Sequence, residues 1–474
     1  MSIVTSWLRT PRIRRGLAAS MVVIASGGLV LVRADASSGL SAYNVVAGGR
    51  TNAIAFAGNG LHGTLAVSQT QLLPGQRLYA EVDVVADAAG SAHERASLAI
   101  AVVLDTSGSM MGEKIARAKD SVVKLVEGMR DDDEIAFVRY SDDAQLVQPL
   151  ARVGQVRDHL IDRIQSVEAG GGTAIPRGLS AGLAALAEAS SGRVRRVVLV
   201  SDGLDSTRAE SERLASGSFE RGIIVSSMGI GLDFDSAYMG SVARAGHGNF
   251  AFVQDASTLG TFLARELKET ANTTVEGATV RLELPRGIRL GNAVGADATS
   301  SDGELELKIG SLFAGDERRV LLELTTSLDP GDAPAIAGRV RWRRVGGGEE
   351  AAAIPRLGLL ATRDEAAAAG SRDGAVLASA TSVLASRRQL EAADAYERGD
   401  TRAADALIQQ NLDQLKQAAA AAPAPAASAL NTQWREYAAT KSGFASAKPS
   451  SALGKSLPKA AAAKDIANMS RSAY

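Results

Sequence analysis

Between residues 96 and 271 the chain alternates short, almost unbroken apolar runs with longer amphipathic segments, and few folds accommodate that pattern. Residues 97–104 read SLAIAVVL, apolar at every position after the first, as a strand covered on both faces requires. Residues 112–129 then place Ile115, Ala118, Val122, Leu125, Val126 and Met129 on one helical face. The same alternation predicts strands at 135–140, 194–201, 223–230 and 249–253, and helices at 156–166, 176–190, 208–220, 236–245 and 258–270. Strands alternating with helices build βαβ units, so the expected class is α/β with a doubly wound parallel sheet. Such a sheet binds ligands beyond the carboxyl ends of its strands, where the strand order reverses.

Three polar segments fall at such ends. The first apolar strand runs into Asp105-Thr106-Ser107-Gly108-Ser109, and the strand at 194–201 runs into Asp202-Gly203. Between them, Gly170-Gly171-Gly172-Thr173 leads into a helix. A tight loop eased by Gly108 can bring Asp105, Ser107 and Ser109 around one point; Thr173 adds a hydroxyl and Asp202 a second carboxylate. All five are hard oxygen donors, a set that suits Mg²⁺, Mn²⁺ or Ca²⁺ rather than zinc. Ligands that are mostly neutral hydroxyls leave the ion electron-poor. Its natural remaining ligand is a carboxylate from another molecule.

In this order, the segments resemble the von Willebrand factor A (integrin I-like) domains. Their metal-ion-dependent adhesion site has the pattern D-x-S-x-S, then a distant Thr and a distant Asp. Asp105, Ser107, Ser109, Thr173 in GGGTAI and Asp202 in SDG match all five positions. The flanks VVLDTSGSM and GIGLDFDSAYMGSVARAGHGNFAFV resemble the family as well. The resemblance covers residues 96–271. It implies a Rossmann-like sheet whose bound divalent cation recruits an acidic side chain from a protein partner.

Around this domain the reading is coarser. Strands are expected at 51–56, 63–68 and 77–85 before it, and at 278–284, 304–309, 318–324 and 338–342 after it. Neither group alone suffices for a sandwich, so residues 37–95 and 273–360 are expected to pair as one β-sandwich carrying the domain at 96–272 in a loop. Residues 361–421 are expected to form a helical hairpin that turns near Arg398-Gly399-Asp400, similar to one tetratricopeptide-type hairpin. Residues 422–474 are expected to be a disordered linker and basic tail. Alanines broken by Pro423 and Pro425 open that segment, and five lysines and Arg471 oppose only Asp465 beyond residue 440.

Residues 1–36 read as a signal peptide or a membrane anchor. Arg9, Arg12, Arg14 and Arg15 precede an apolar run at 16–32, and a helix of that length spans roughly 25 Å. Ala34-Asp35-Ala36 offers a cleavage site. If uncleaved, this segment places the chain on a membrane; either way the remainder is expected to be extracytoplasmic, in the cell envelope or secreted.

Composition excludes several classes. With 52 basic and 53 acidic residues among 474, the net charge of −1 gives no reason to expect a nucleic-acid partner. No cysteine is present, which removes disulfides, thiolate metal sites and cysteine nucleophiles. Gly178-Leu179-Ser180-Ala181-Gly182 matches G-x-S-x-G but falls inside a helix rather than on a strand-to-helix turn. Gly454-Lys455-Ser456 lacks the upstream glycine of a phosphate loop. His62, His93, His159 and His247 are scattered, His247 reading as a surface loop residue, and the run 131–134 reads as a solvated link. The expected function is therefore non-enzymatic: adhesion or protein–protein binding to a partner's Asp or Glu through a divalent cation. The alternative is a regulatory or scaffold subunit of a cell-envelope complex.

Overall fold

The computed structural model describes residues 22–25, 28–31, 52–88, 95–202, 206–232, 234–253 and 259–470. Val22–Ala25 (β1) and Gly28–Leu31 (β2) pair as a short antiparallel hairpin in a unit of their own, Met1–Gly49. The apolar run at 16–32, read as a helix from its length, is extended at its described residues. The proposed cleavage site at 34–36 lies outside the described residues. Among the described residues, no helix is long and apolar enough to cross a membrane.

Residues 50–474 form the second unit. It opens with Ala53–Gly58 (β3), Leu61–Val67 (β4), the two-residue Gln71–Leu72 (β5) and Leu78–Ala86 (β6). The α/β region follows. It comprises Leu98–Asp105 (β7), Glu113–Gly128 (α1), Glu134–Tyr140 (β8), Ala144–Arg152 (β9), Val153–Gln165 (α2) and Ile175–Ala187 (α3). Val194–Ser201 (β10), Arg208–Phe219 (α4), Ile223–Ile230 (β11), Ser236–Ala245 (α5), His247–Val253 (β12) and Leu259–Ala271 (α6) complete it. The six strands are ordered β12-β11-β10-β7-β8-β9, parallel except for β9. Every residue of β7 is buried, because helices cover both faces: α1 packs on one side and α3 on the other. The order reverses between β7 and β10, the strands that end at Asp105 and Ser201. β9 was not expected. Its sequence AQLVQPLAR buries only one residue and carries Pro149, as an edge strand tolerates, so it lacks the apolar run of its neighbours.

Beyond the α/β region come Thr273–Glu283 (β13), Ile288–Val294 (β14), Asp297–Ser301 (β15), Glu304–Phe313 (β16), Glu317–Thr326 (β17), Ala335–Arg344 (β18), Glu349–Gly358 (β19) and Leu360–Ala361 (β20). β14 and β17 join the early strands in the five-stranded sheet β14-β17-β6-β4-β3, β15-β16-β13-β18-β19 form a second sheet, and β20 pairs parallel with β5. β6, which precedes the α/β region, pairs antiparallel with β17, which follows it, from Leu78↔Leu324 to Val85↔Glu317. The two sheets share one core, in which Leu65, Val82 and Leu322 of the first meet Val280, Leu307 and Trp342 of the second.

The chain ends in helices: Glu365–Gly370 (α7), Gly374–Glu397 (α8), Thr401–Ala421 (α9), Ala424–Ser446 (α10) and Ala452–Ser470 (α11). The expectation of a disordered segment from 422 is thereby corrected through Ser470. Pro423 caps α10 and Pro425 lies in its first turn, where proline suits a helix start. Leu430, Tyr437 and Phe444 recur every seven residues and are the buried face of α10. In α11, Ile466 packs against Gly240 of α5, and the buried Lys459 donates to the Phe234 carbonyl at 2.7 Å while pairing with Glu397 of α8 at 3.2 Å. α11 thus joins the helical module to the α/β region.

A buried polar knot ties these helices together. The Tyr437 hydroxyl meets Asp465, and Ser386, Gln433 and Asn468 surround them. Burial pushes the Asp465 carboxyl up to about 7. A carboxyl whose folded value is raised holds a proton that the unfolded chain has already lost, so it favours the fold at low pH. That contribution fades as pH rises from about 4 to about 7. Asp465→Asn should raise Tm at pH 8 and change it little at pH 4, as read by circular dichroism across pH.

Candidate metal centre

β7 and β10 lie side by side in the register Leu104↔Val200, so their ends deliver Asp105 and Asp202 to the same edge of the sheet. Asp105 is fully buried. Its Oδ1 accepts from the Ser107 backbone N–H at 2.8 Å and its Oδ2 from the Ser201 hydroxyl at 2.6 Å, with the Tyr140 hydroxyl 3.5 Å away. The Ser107 and Ser109 hydroxyls lie 3.1 Å apart, and Ser109 donates to Asp202 Oδ1 at 2.7 Å. Asp202, also fully buried, takes the Lys114 ammonium on Oδ2. Four of the five predicted residues therefore form one hydrogen-bonded cluster.

The fifth, Thr173, is half-buried on the glycine loop. Gly108 N–H donates to the Gly171 carbonyl at 2.9 Å, Gly170 N–H to Thr106 at 2.7 Å and Ala174 N–H to Ser141 at 2.8 Å. The first two bonds hold the loop against the Asp105–Ser109 turn, and the third holds it to the end of β8. Gly171 has φ +85°, and a Cβ there would fall 2.6 Å from the Asp142 carboxylate, so only glycine lets the loop lie this close.

Burial pushes the Asp105 carboxyl up, more strongly than the hydrogen bonds from Ser107 and Ser201 pull it down, and the nearby negative charge of Asp202 adds to the rise. Two buried carboxyl groups thus face each other across the Ser107 and Ser109 hydroxyls, an environment that favours a cation. Among the described residues, no three His, Cys, Asp or Glu are grouped to hold a metal. The donors here are carboxylate and hydroxyl oxygens, which fit a hard divalent ion and not a soft one.

Sequence reasoning missed Lys114, Ser201 and Tyr140. Ser201 left one signal, a small polar residue closing an apolar strand. Lys114 left none, because a lysine in a first helical turn reads as a solvated side chain. Two further readings are corrected. Asp133, in the run 131–134, is fully buried and holds the Arg95 guanidinium at 2.8 and 2.9 Å and the Leu98 N–H at 3.1 Å; Glu134 is buried beside Arg193. His247 is also enclosed, at φ +54°, its ring tilted 35° against Phe219 with centroids 4.1 Å apart, and 3.5 Å from Asp297 of β15. In the G-x-S-x-G match, Ser180 is exposed in mid-helix. Its glycines let α3 approach the sheet, since a Cβ at Gly178 or Gly182 would lie 2.5 Å from Tyr140 or Val103.

The model of the von Willebrand factor type A domain matches residues 99–265. The Synechocystis sp. protein sll0103 is 26% identical over 257 residues, covering 51% of this chain and 60% of that protein. The Escherichia coli K12 protein YfbK is 26% identical over 266 residues, covering 53% of this chain and 45% of its own length. The chain thus spans about half the length of the curated relatives it matches. Two solved structures share the fold over most of the chain. A von Willebrand factor type A protein from Catenulispora acidiphila has a TM-score of 0.66 at 17% identity, covering 89% of this chain and 97% of that one. The ArnB paralog VWA2 of Sulfolobus acidocaldarius has a TM-score of 0.59 at 16% identity, covering 86% and 98%.

Proposed function

We propose that residues 99–265, a von Willebrand factor type A domain, bind an acidic side chain of a protein partner through a divalent cation held at the end of β7 and β10. The observation that carries this reading is the convergence of Asp105, Ser107, Ser109 and Asp202 in one cluster where the strand order reverses. Asp105 and Asp202 would supply charge, and Ser107, Ser109 and Thr173 neutral oxygens. When bound, the cation supplies a Lewis-acidic position for a carboxylate from outside. Met111, exposed beside the site, gives the partner an apolar contact next to that carboxylate. Mg²⁺ suits this reading best, because it keeps open or water-filled positions when few carboxylates bind it.

The reading extends to export: residues 1–36 would carry the chain across or onto a membrane, which sets its partner in the cell envelope or beyond it. The test is capture of envelope proteins on the immobilised chain, with and without EDTA. Capture should vanish in EDTA and return with added Mg²⁺; capture unchanged in excess EDTA contradicts the proposal. A scaffold subunit of an envelope complex is the second reading, favoured by the ordered helical module that α11 fastens to the α/β region. A stoichiometric assembly purified from membranes would favour that role over adhesion.

A further inference from the structure

We infer that Lys114 is a tethered counter-ion that holds the cluster until a divalent ion displaces it, and so sets the affinity for that ion. This rests on the metal reading of the site. Asp202 is fully buried, and both its oxygens are taken by the chain itself: Oδ1 by the Ser109 hydroxyl and Oδ2 by the Lys114 ammonium. Lys114 stands in the first turn of α1, and its side chain is 30% exposed. It therefore reaches into the site from outside and can withdraw. Its stem runs past Gly231, where a Cβ would lie 3.3 Å from the Lys114 Cε; with φ +81° at that position, glycine keeps the path clear.

A buried carboxylate without a partner is strongly destabilising, so a metal-free site needs a positive charge from somewhere. Lys114 provides it. A divalent ion beside Asp202 would repel the ammonium, and the two charges cannot share the pocket at low dielectric. Ion uptake is therefore an exchange. The ion's apparent affinity is its intrinsic affinity reduced by the free energy of parting Lys114 from Asp202. Once withdrawn, the ammonium is readily hydrated at the surface.

The test is calorimetric titration of the full chain with MgCl₂ and MnCl₂, for wild type, Lys114→Met and Lys114→Arg, with thermal unfolding of each in EDTA and in Mg²⁺. Lys114→Met should bind the ion at least about tenfold more tightly. It should also melt lower than wild type in EDTA and recover in Mg²⁺, which loss of mere packing would not do. Lys114→Arg, which keeps the charge, should stay near wild type in both. Wild-type uptake with no gain in Lys114→Met, or an EDTA deficit that Mg²⁺ does not repair, overturns the inference and leaves the metal reading intact. No uptake by either protein at millimolar ion overturns both.

Discussion

Replacing Asp105 with alanine is expected to abolish cation-dependent capture of the partner while leaving a folded protein. Asp105 is buried and offers its carboxylate directly to the cluster. Losing a residue that merely orients a metal ligand costs 10–100-fold in metal affinity, so losing a ligand itself should cost on the order of 100-fold or more. The fold should tolerate the change. Ser201 and Ser107 each lose an acceptor, worth about 1 kcal/mol apiece, but the repulsion between Asp105 and Asp202 is relieved. Pull-down in Mg²⁺ with circular dichroism alongside checks both halves. Retained capture refutes the role, and an unfolded variant refutes the argument about stability.

The largest expected loss of stability lies at the opposite end of the domain's logic, in the buried pair between Arg196 of β10 and Glu266 of α6. The charges are 2.5 Å apart, and Ser226 and Asn249 also bond the carboxylate. Burial pushes Glu266 up, but Arg196 and these hydrogen bonds outweigh it and hold the carboxyl below its usual range. Arg196→Met strands that charge in the core, at a cost of about 3–5 kcal/mol. For a unit of this size, Tm should fall by roughly 3–6 °C. The deficit should shrink toward pH 5, where the unpaired carboxyl can take a proton, and the double change Arg196→Met with Glu266→Leu should recover most of it. Thermal melts of the three proteins at pH 5 and pH 8 decide the matter; a single variant as stable as wild type contradicts the assignment.

The buried parallel strands were legible because helices on both faces demand near-continuous apolar runs: 98–104 is apolar throughout, and 194–201 is apolar apart from Arg195, Arg196 and the closing Ser201. Their ends made the cluster legible too, since Asp105 and Asp202 follow directly on those strands. What escaped were features set by neighbours rather than by local pattern. β9 borrows its stability from β8. α10 signals itself only through Leu430, Tyr437 and Phe444, thinly spaced among alanines that resemble a linker. Asp133 and His247 look like solvated loop residues until Arg95 and Phe219 close over them. Lys114 belongs to the same group: its ordinary helical setting conceals the contact with Asp202.

The proposal is that the clustered oxygens of Asp105, Ser107, Ser109 and Asp202, with Thr173 on the neighbouring glycine loop, take up a hard divalent ion. Titrating the full chain with Mg²⁺ in a calorimeter tests it most directly. Uptake should be saturable, at one ion per chain, and should disappear in Asp105→Ala. Absence of uptake in the wild type, or uptake undiminished in that variant, would contradict it.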